Sequence, residues 1–277
     1  MNQRNEPSPE PVNELKLSKR RELIAQLIGL FEQHSDPKTK AWFDNYLKGA
    51  IAYRGLKTPQ VTKLVKAWYA QHSLACYSQQ AQLSLCADLM AGTSDEDVFA
   101  EDKFAGTLYL QAFLLSKLDY SSLLKACDSW FQCGYFFDWS TTDWFCTRIL
   151  DPTILNHGLG AAKVIARFRS SDNLWQRRAS IVSFRRASRD LQYHPLIKQT
   201  IADLLPSDER FIQTGIGWLL ADMSKPYPAE AEALFRQYFD QLSKEVIDRH
   251  AKHLPCHKAL KQLKRTQLKR KQLKRKS

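Results

Sequence analysis

The sequence predicts an all-α protein, an α-solenoid built from helical repeats. Three observations support this prediction: apolar residues recur at helical spacing, helix-start signals are frequent, and an aromatic residue returns at a constant interval. Glycine is scarce, at 10 of 277 residues, and the alternation of apolar and polar residues that is typical of strands is hard to find.

Helix starts can be placed in order along the chain. Leu23, Leu27 and Leu30 share one apolar face at helical spacing, and the same pattern returns within residues 110–118. Thr58-Pro59 has the form of an N-cap followed by proline at the first helical position. Similar starts follow at Ser35, Asp151, Ser171 and Ser207. The short connections between these starts favour packed helix pairs.

A faint internal repeat runs through the second half of the chain. Trp139, Trp175 and Phe211 lie 36 residues apart, each near the start of an expected helix. A repeat of this length made of helix pairs is typical of HEAT-like solenoids, which present a long concave surface. We therefore expect a single HEAT-like-repeat domain over residues 14–257, preceded by a flexible, proline-rich segment at residues 1–13.

Positive charge is concentrated at the C-terminus. The formal net charge is +12, but residues 258–277 hold ten Lys or Arg and no acidic residue, which leaves 31 basic against 29 acidic residues elsewhere. Gln-Leu-Lys-Arg occurs there three times at a five-residue period, which scatters its leucines around a helix. We expect a flexible or weakly helical basic tail that contacts nucleic acid; a solubilising terminus is the alternative.

Composition and motifs argue against several classes of protein. The six cysteines form no C-x-x-C pair, which indicates free thiols in a reducing compartment. We find neither the apolar core of a signal peptide nor an apolar run long enough to span a bilayer, so we expect a cytoplasmic, nucleoid-associated protein without membrane contact. A metal cluster would have to be formed by His250, His253, Cys256 and His257. Pro255 interrupts the helix that would carry these side chains, so we expect neither metal nor cofactor.

Residues 136–145 combine five aromatic rings with the carboxylate of Asp143. A carboxylate in apolar surroundings is costly unless it is paired or used in chemistry. On a helix, Trp139 and Asp143 share one face, and an aromatic plane beside an anion suits a cationic substrate. Asp138 is expected to cap this helix. The alternative is that the segment reflects core packing alone.

A second segment, residues 174–189, is strongly basic. On one continuous helix, Arg178, Arg185 and Arg189 would fall within about 40° of one another. None has a carboxylate four residues before it, and like charges at i and i+4 cost some stability. We interpret this stripe as a contact for nucleic-acid phosphates; an ordinary solvated face is the alternative.

A third segment, residues 210–220, places Gly215 and Gly217 inside a helical pattern. Each glycine costs about 1 kcal/mol relative to alanine, so such glycines usually mark close packing. Trp218 beside them is either a core residue or a side chain that projects toward a ligand.

Together these segments resemble the AlkD-like, HEAT-like-repeat alkylpurine DNA glycosylases, the DNA alkylation repair enzymes. The resemblance runs from about residue 20 to about residue 255. It rests on Tyr46 followed by Gly-Leu-Lys-Thr-Pro within residues 46–59, and on the Trp139-x-x-x-Asp143 pair. Residues 174–179 resemble the family's W-x-x-R-A, and residues 211–218 its F-I-Q-x-A-I-G-W.

The resemblance implies roles for individual residues. Asp143 matches the catalytic carboxylate, and Trp139 and Trp218 match the two site tryptophans. Arg178 matches the essential arginine, and Tyr46 matches an aromatic residue that borders the site. The remaining expected DNA contacts are Arg185, Arg189 and Lys57. Asp138, Thr141, Thr142 and Gly215 depart from the family pattern, which bears on substrate preference.

The implied reaction is hydrolysis of the N-glycosidic bond of cationic N3- or N7-alkylated purines in double-stranded DNA, leaving an abasic site. The cationic base is already a good leaving group, so one carboxylate can stabilise charge on the sugar and position a water. No lysine nucleophile is required, so we expect a monofunctional glycosylase. Separately, we expect the protein to be a monomer. The alternatives are a non-catalytic binder of damaged or branched DNA and a helical-repeat adaptor for protein partners.

Overall fold

The structure, a computed structural model, describes residues 14–92 and 98–274. Within these ranges the chain forms α-helices joined by short 3-10 and π-helical turns, with an isolated bridge between Ala52 and Phe99 and no β-strand. The all-α class predicted from sequence is confirmed. The segment at residues 1–13, expected to be flexible, lies outside the described residues. No helix in the described part is long and apolar enough to cross a membrane.

The chain divides into two compact units, Met1–Leu118 and Asp119–Ser277. The helices described in the first unit are α1 (Leu17–Gln33), α2 (Pro37–Leu47), α3 (Thr58–Gln71), α4 (Gln79–Ala91) and α5 (Ala100–Tyr109). α3 packs against α1 and α5, and α4 packs against α5. The predicted start at residues 35–37 is confirmed, because Asp36 caps α2 by accepting from the Thr39 N–H at 2.9 Å. The predicted start of α3 is displaced by one residue: Lys57 is the N-cap, and Thr58 is the first helical residue instead of the cap.

A buried carboxylate fixes the loop ahead of α3. The backbone N–H groups of residues 54–56 donate to the Glu101 carboxylate at 2.8–3.0 Å. Arg54 donates from Nη1 to Asp102 Oδ1 at 2.6 Å, and its guanidinium lies 3.9 Å from the Phe99 ring centroid. These buried groups are paired, as buried charges must be to be tolerated. The loop therefore holds α2 and α3 in a defined arrangement.

The second unit contains the remaining described helices: α6 (Tyr120–Gln132), α7 (Trp139–Phe145), α8 (Asp151–Arg167), α9 (Leu174–Val182), α10 (His194–Leu204), α11 (Arg210–Met223), α12 (Pro228–Gln237), α13 (Lys244–His250) and α14 (His257–Lys274). α7, α9, α11 and α13 pack in succession, and α6, α8 and α10 form a parallel succession behind them. Two stacked layers of alternating helices are what helical repeats produce.

The 36-residue interval follows this stacking. Trp139 opens α7, and Trp175 and Phe211 are the second residues of α9 and α11. The rings of Trp175 and Phe211 lie 5.0 Å apart between centroids, so equivalent positions of neighbouring repeats contact each other. The weak sequence repeat therefore reflects the spacing of the helices that carry the candidate site.

The basic tail differs from the free arm expected from its sequence. Residues 257–274 form α14, which packs against α13. Leu260 is buried, and the buried Lys264 donates from Nζ to the Phe239 carbonyl at 2.8 Å. Gln267 also donates to Asp240 Oδ1, at 2.5 Å. The leucine pattern does not reveal this attachment, because part of it depends on a lysine that bonds backbone carbonyls.

Candidate active site

Helix α7 places Asp143 one turn after Trp139. Asp138 caps the helix as predicted: its Oδ1 accepts from the N–H groups of Ser140 at 2.8 Å and Thr141 at 2.9 Å. Residues three and four apart on a helix lie on one face, so the expected Trp139–Asp143 relation is present. The half-buried Trp139 ring and the largely buried carboxylate therefore belong to the same helical face.

The Asp143 carboxylate forms a two-point ion pair with Arg178 of α9. Arg178 donates from Nε to Oδ1 at 2.7 Å and from Nη2 to Oδ2 at 2.8 Å. Such parallel hydrogen bonds are strong and fix the relative orientation of both groups. The Asp143 side chain keeps 12% of its surface exposed, whereas the Arg178 side chain keeps 5%. The carboxylate is thus held in one orientation and still reachable.

Arg178 also connects this carboxylate to α11. Its Nη1 donates to the Phe211 carbonyl and to Thr214 Oγ1, the latter at 3.2 Å. A Cβ atom added to Gly215 would lie 3.3 Å from Nη1 of Arg178 and 3.2 Å from Ile181 Cγ2, tighter than ordinary contact. Gly215 therefore marks close packing, as the sequence indicated, and the packing partner is the arginine at the centre of the site.

Trp218 of α11 lies beneath a second arginine. The guanidinium carbon of Arg185 lies 3.3 Å from the Trp218 ring centroid, a cation–π contact. Arg185 also donates from Nε to Asp222 Oδ2 at 2.6 Å, and Lys225 Nζ lies 2.9 Å from Asp222 Oδ1. Trp218 is half-buried. Because Arg185 covers one face of the indole, a ligand can stack only on the other.

The expected arginine stripe on one continuous helix is wrong. α9 ends at Val182, and residues 187–189 form a separate 3-10 turn. Beyond the break, the Ser188 Oγ donates to the Arg185 carbonyl at 2.7 Å. Arg178 and Arg185 are also paired, with Asp143 and Asp222, whereas Arg189 is exposed. Their assignment to DNA binding stays a prediction.

Two further predicted DNA contacts, Tyr46 and Lys57, lie in the first unit. Tyr46 belongs to α2 and stacks on Trp42, with ring centroids 5.2 Å apart. Lys57 is the exposed residue just before α3 and lines a surface pocket together with Trp42. The structure therefore brings both residues to the neighbourhood of one exposed tryptophan, which the sequence reasoning did not single out.

Other site residues were also missed, although a signal for one was available. Trp218-x-x-x-Asp222 repeats the spacing of Trp139-x-x-x-Asp143, and each aspartate binds an arginine from residues 178–185. A search for repeated Trp–Asp pairs would have found Asp222. The Phe211 carbonyl that accepts from Arg178 carries no sequence signal, because every residue has a carbonyl.

No group of three or more His, Cys, Asp or Glu side chains within the described ranges could hold a metal ion. His250 and its neighbours, considered above as metal ligands, do not form such a group. His250 packs against α11, and a Cβ atom added to Gly217 would lie 2.6 Å from its Cδ2. Burial, together with the Arg249 and Arg178 cations, lowers the pKa of His250 to about 4 from its usual 6.5, although Glu245 opposes the shift.

The low pKa of His250 predicts how the free energy of unfolding depends on pH. Because the folded protein holds His250 neutral, the unfolded chain binds a proton more readily, and the free energy of unfolding should fall as pH drops from about 6.5 toward about 4. We expect His250→Asn to show a smaller fall over this window in denaturant titrations. His253→Asn, at an exposed position nearby, is the control. Equal acid sensitivity of native protein and His250→Asn would contradict the assignment.

Comparisons with known proteins add an independent observation. Residues 27–255 match the family model described as DNA alkylation repair enzyme. A solved structure described as a predicted DNA alkylation repair enzyme from Enterococcus faecalis is 19% identical, with a TM-score of 0.64, over 80% of this chain and 97% of that chain. At this identity the likeness shows a shared fold. Comparison with curated protein sequences gave no match.

Proposed function

The chain belongs to the DNA alkylation repair enzyme family, which indicates a role in DNA repair, and on this premise we propose a glycosylase reaction. The substrate is a cationic N3- or N7-alkylated purine in double-stranded DNA. The products are the free base and an abasic site. The observation that carries this proposal is the Asp143 carboxylate, fixed at two points by Arg178 yet still partly exposed.

The role of Asp143 follows from the charge that develops during the reaction. As the glycosidic bond breaks, positive charge grows on the deoxyribose, and a preorganised carboxylate stabilises that charge without reorienting. Each carboxylate oxygen gives one lone pair to Arg178 and keeps another for a water molecule. Asp143 can therefore both stabilise the sugar and position the attacking water.

The tryptophans supply the aromatic contacts. Trp139 lies one turn before Asp143, and Arg185 covers one face of the half-buried Trp218 ring, which leaves only the other face for a ligand. An aromatic face attracts a cationic base or sugar by about 0.5–2 kcal/mol. Since the alkylated base leaves as a neutral molecule, no strong general acid is needed, and without a lysine nucleophile the enzyme should leave the DNA strand intact.

The test is release of free 3-methyladenine and 7-methylguanine from methylated duplex DNA at neutral pH, measured by chromatography. We expect both bases to be released and the product strand to break only after alkali treatment. Strand cleavage without alkali would contradict the monofunctional mechanism. Absence of release from DNA that the protein binds would overturn the glycosylase proposal.

One observation favours a second candidate, a non-catalytic binder of damaged DNA. Both oxygens of Asp143 already bond to Arg178, which is also what a purely structural ion pair looks like. The two functions differ in a single measurement, because the binder retains affinity for alkylated DNA without releasing any base. The same assay therefore separates them.

The basic helix α14 makes a prediction about DNA affinity. Truncation after Gln267 removes six of the ten basic residues in the tail and keeps the buried contacts of Leu260 and Lys264. We expect weaker binding to duplex DNA and a shallower salt dependence, because fewer counterions are released. Turnover at saturating DNA should change little.

The matched control is Lys264→Ala. The buried Nζ of Lys264 bonds the Phe239 carbonyl, so its loss should lower stability toward denaturant with little effect on the salt slope. An unchanged salt slope after truncation would show that the end of α14 does not contact DNA.

A further inference from the structure

Helix α2 exposes two stacked aromatic rings. Trp42 is 57% exposed and Tyr46 is 52% exposed, with centroids 5.2 Å apart and an angle of 14° between the rings. Tryptophan is highly buried on average, so an exposed tryptophan stacked on a second exposed ring marks a contact surface. Trp42 and Tyr46 are defined as the aromatic platform.

The aromatic platform rests on the core of the first unit. Trp42 contacts Phe43 edge to face at 4.8 Å, and Phe43 stacks on Tyr53 at 3.9 Å between centroids. Tyr53 is fully buried. This chain of rings restrains Trp42 before any ligand arrives, and a preorganised side chain loses less entropy on binding.

A surface pocket of about 600 Å³ lies beside the aromatic platform. Its lining residues are Asp36, Lys38, Thr39, Trp42, Phe43 and Lys57. Among the described residues, neither lysine amine lies within ion-pair distance of a carboxylate. Asp36 keeps its negative charge in this pocket: its Oδ2 accepts from the N–H of Thr39 at 2.9 Å and from its Oγ1 at 2.7 Å, and Lys38 interacts with it electrostatically. The pocket thus combines an aromatic wall with two lysines and one carboxylate, which leaves a net positive charge for an anion.

We propose that the aromatic platform and its pocket bind one unstacked nucleotide of DNA. The base lies against Trp42, and the phosphate lies between Lys38 and Lys57. An aromatic side chain can stack only on a base whose face is not covered by a neighbouring base pair, so the ligand is a displaced or unpaired nucleotide. The two lysines favour a phosphate over an apolar protein segment.

This inference rests on DNA as the partner and on none of the catalytic residues. It predicts that the protein prefers distorted DNA to fully paired DNA even when the DNA contains no alkylated base. The experiment therefore uses unmethylated duplexes, one fully paired and one with a single unpaired 2-aminopurine, and measures affinity by fluorescence anisotropy. The native protein should bind the second duplex more tightly and quench its 2-aminopurine.

Trp42→Ala should reduce the preference for the unpaired base by about ten-fold, and Trp42→Phe should keep most of it, because base–aromatic stacking contributes energy of that order. Lys38→Ala and Lys57→Ala should each lower the salt slope by about one. Lys40→Ala is the control, since Lys40 already pairs with Asp44 at 2.8 Å on the same helix.

Two outcomes would overturn the inference: equal affinity of the native protein for both duplexes, or an unchanged preference in Trp42→Ala, whether or not that variant binds both duplexes more weakly. In each case base release from methylated DNA can still occur, which would leave the proposed function intact. Failure of the native protein to bind either duplex or release any base would overturn the proposed function as well.

Discussion

Asp143→Asn is expected to lower the single-turnover rate of base release from methylated DNA by at least about 100-fold. The amide has nearly the shape of the carboxylate, and its oxygen can still accept one hydrogen bond from Arg178. It carries no negative charge to stabilise the sugar cation, and it is a poor base toward water. The loss should therefore fall on the chemical step, with DNA affinity little changed.

The matched control for this variant is Asp138→Asn. Asp138 caps α7 through the N–H groups of Ser140 and Thr141, and asparagine caps helices about as well as aspartate. We expect near-native base release from it. Equal loss in both variants would indicate disturbance of α7 rather than loss of a catalytic charge. Full activity of Asp143→Asn would remove Asp143 from the reaction.

Features governed by local chemistry could be predicted from the sequence. The all-helical class, the starts of α2 and α3 and the cap at Asp138 depend on residues within one or two turns of each other. The helical relation of Trp139 to Asp143 is of the same kind. Such features follow from side-chain periodicity and capping, so one sequence is enough to find them.

The pairing of charges could not be predicted, because it depends on how helices stack. Arg178 and Arg185 have no carboxylate three or four residues away in sequence, whereas their partners Asp143 and Asp222 lie 35 and 37 residues away. These separations are close to the 36-residue repeat. An arginine in one repeat therefore binds an aspartate in the neighbouring repeat, a relation that a helical wheel cannot show.

The end of α9 and the docking of α14 were missed for a similar reason. Periodicity alone continues the basic helix through residue 189, but the chain leaves the helix after Val182. In the tail, the attachment depends on the buried ammonium group of Lys264 and its carbonyl partner. Both features depend on polar hydrogen bonds in the folded state, which the pattern of apolar residues in the sequence does not predict.

Arg178→Ala is expected to lower the free energy of unfolding by about 3–5 kcal/mol, because it leaves a buried charge without its partner. The Asp143 carboxylate loses both hydrogen bonds from the guanidinium, and the Phe211 carbonyl loses a donor. The small Gly215 beside the guanidinium cannot fill the space that remains. Equilibrium unfolding in denaturant measures the change, with Arg189→Ala as an exposed control.

Combining Arg178→Ala with Asp143→Asn separates the cost of the stranded charge from the cost of the missing side chain. If the unpaired carboxylate accounts for most of the lost stability, the double variant should be more stable than Arg178→Ala alone, and the two effects should be strongly non-additive.

Arg178→Lys keeps the positive charge but cannot form the two-point contact. It should therefore retain most of the stability while losing base release, because the carboxylate is no longer held in one orientation. Additive effects in the double variant, or full activity of Arg178→Lys, would show that this ion pair does not position the Asp143 carboxylate for the proposed reaction.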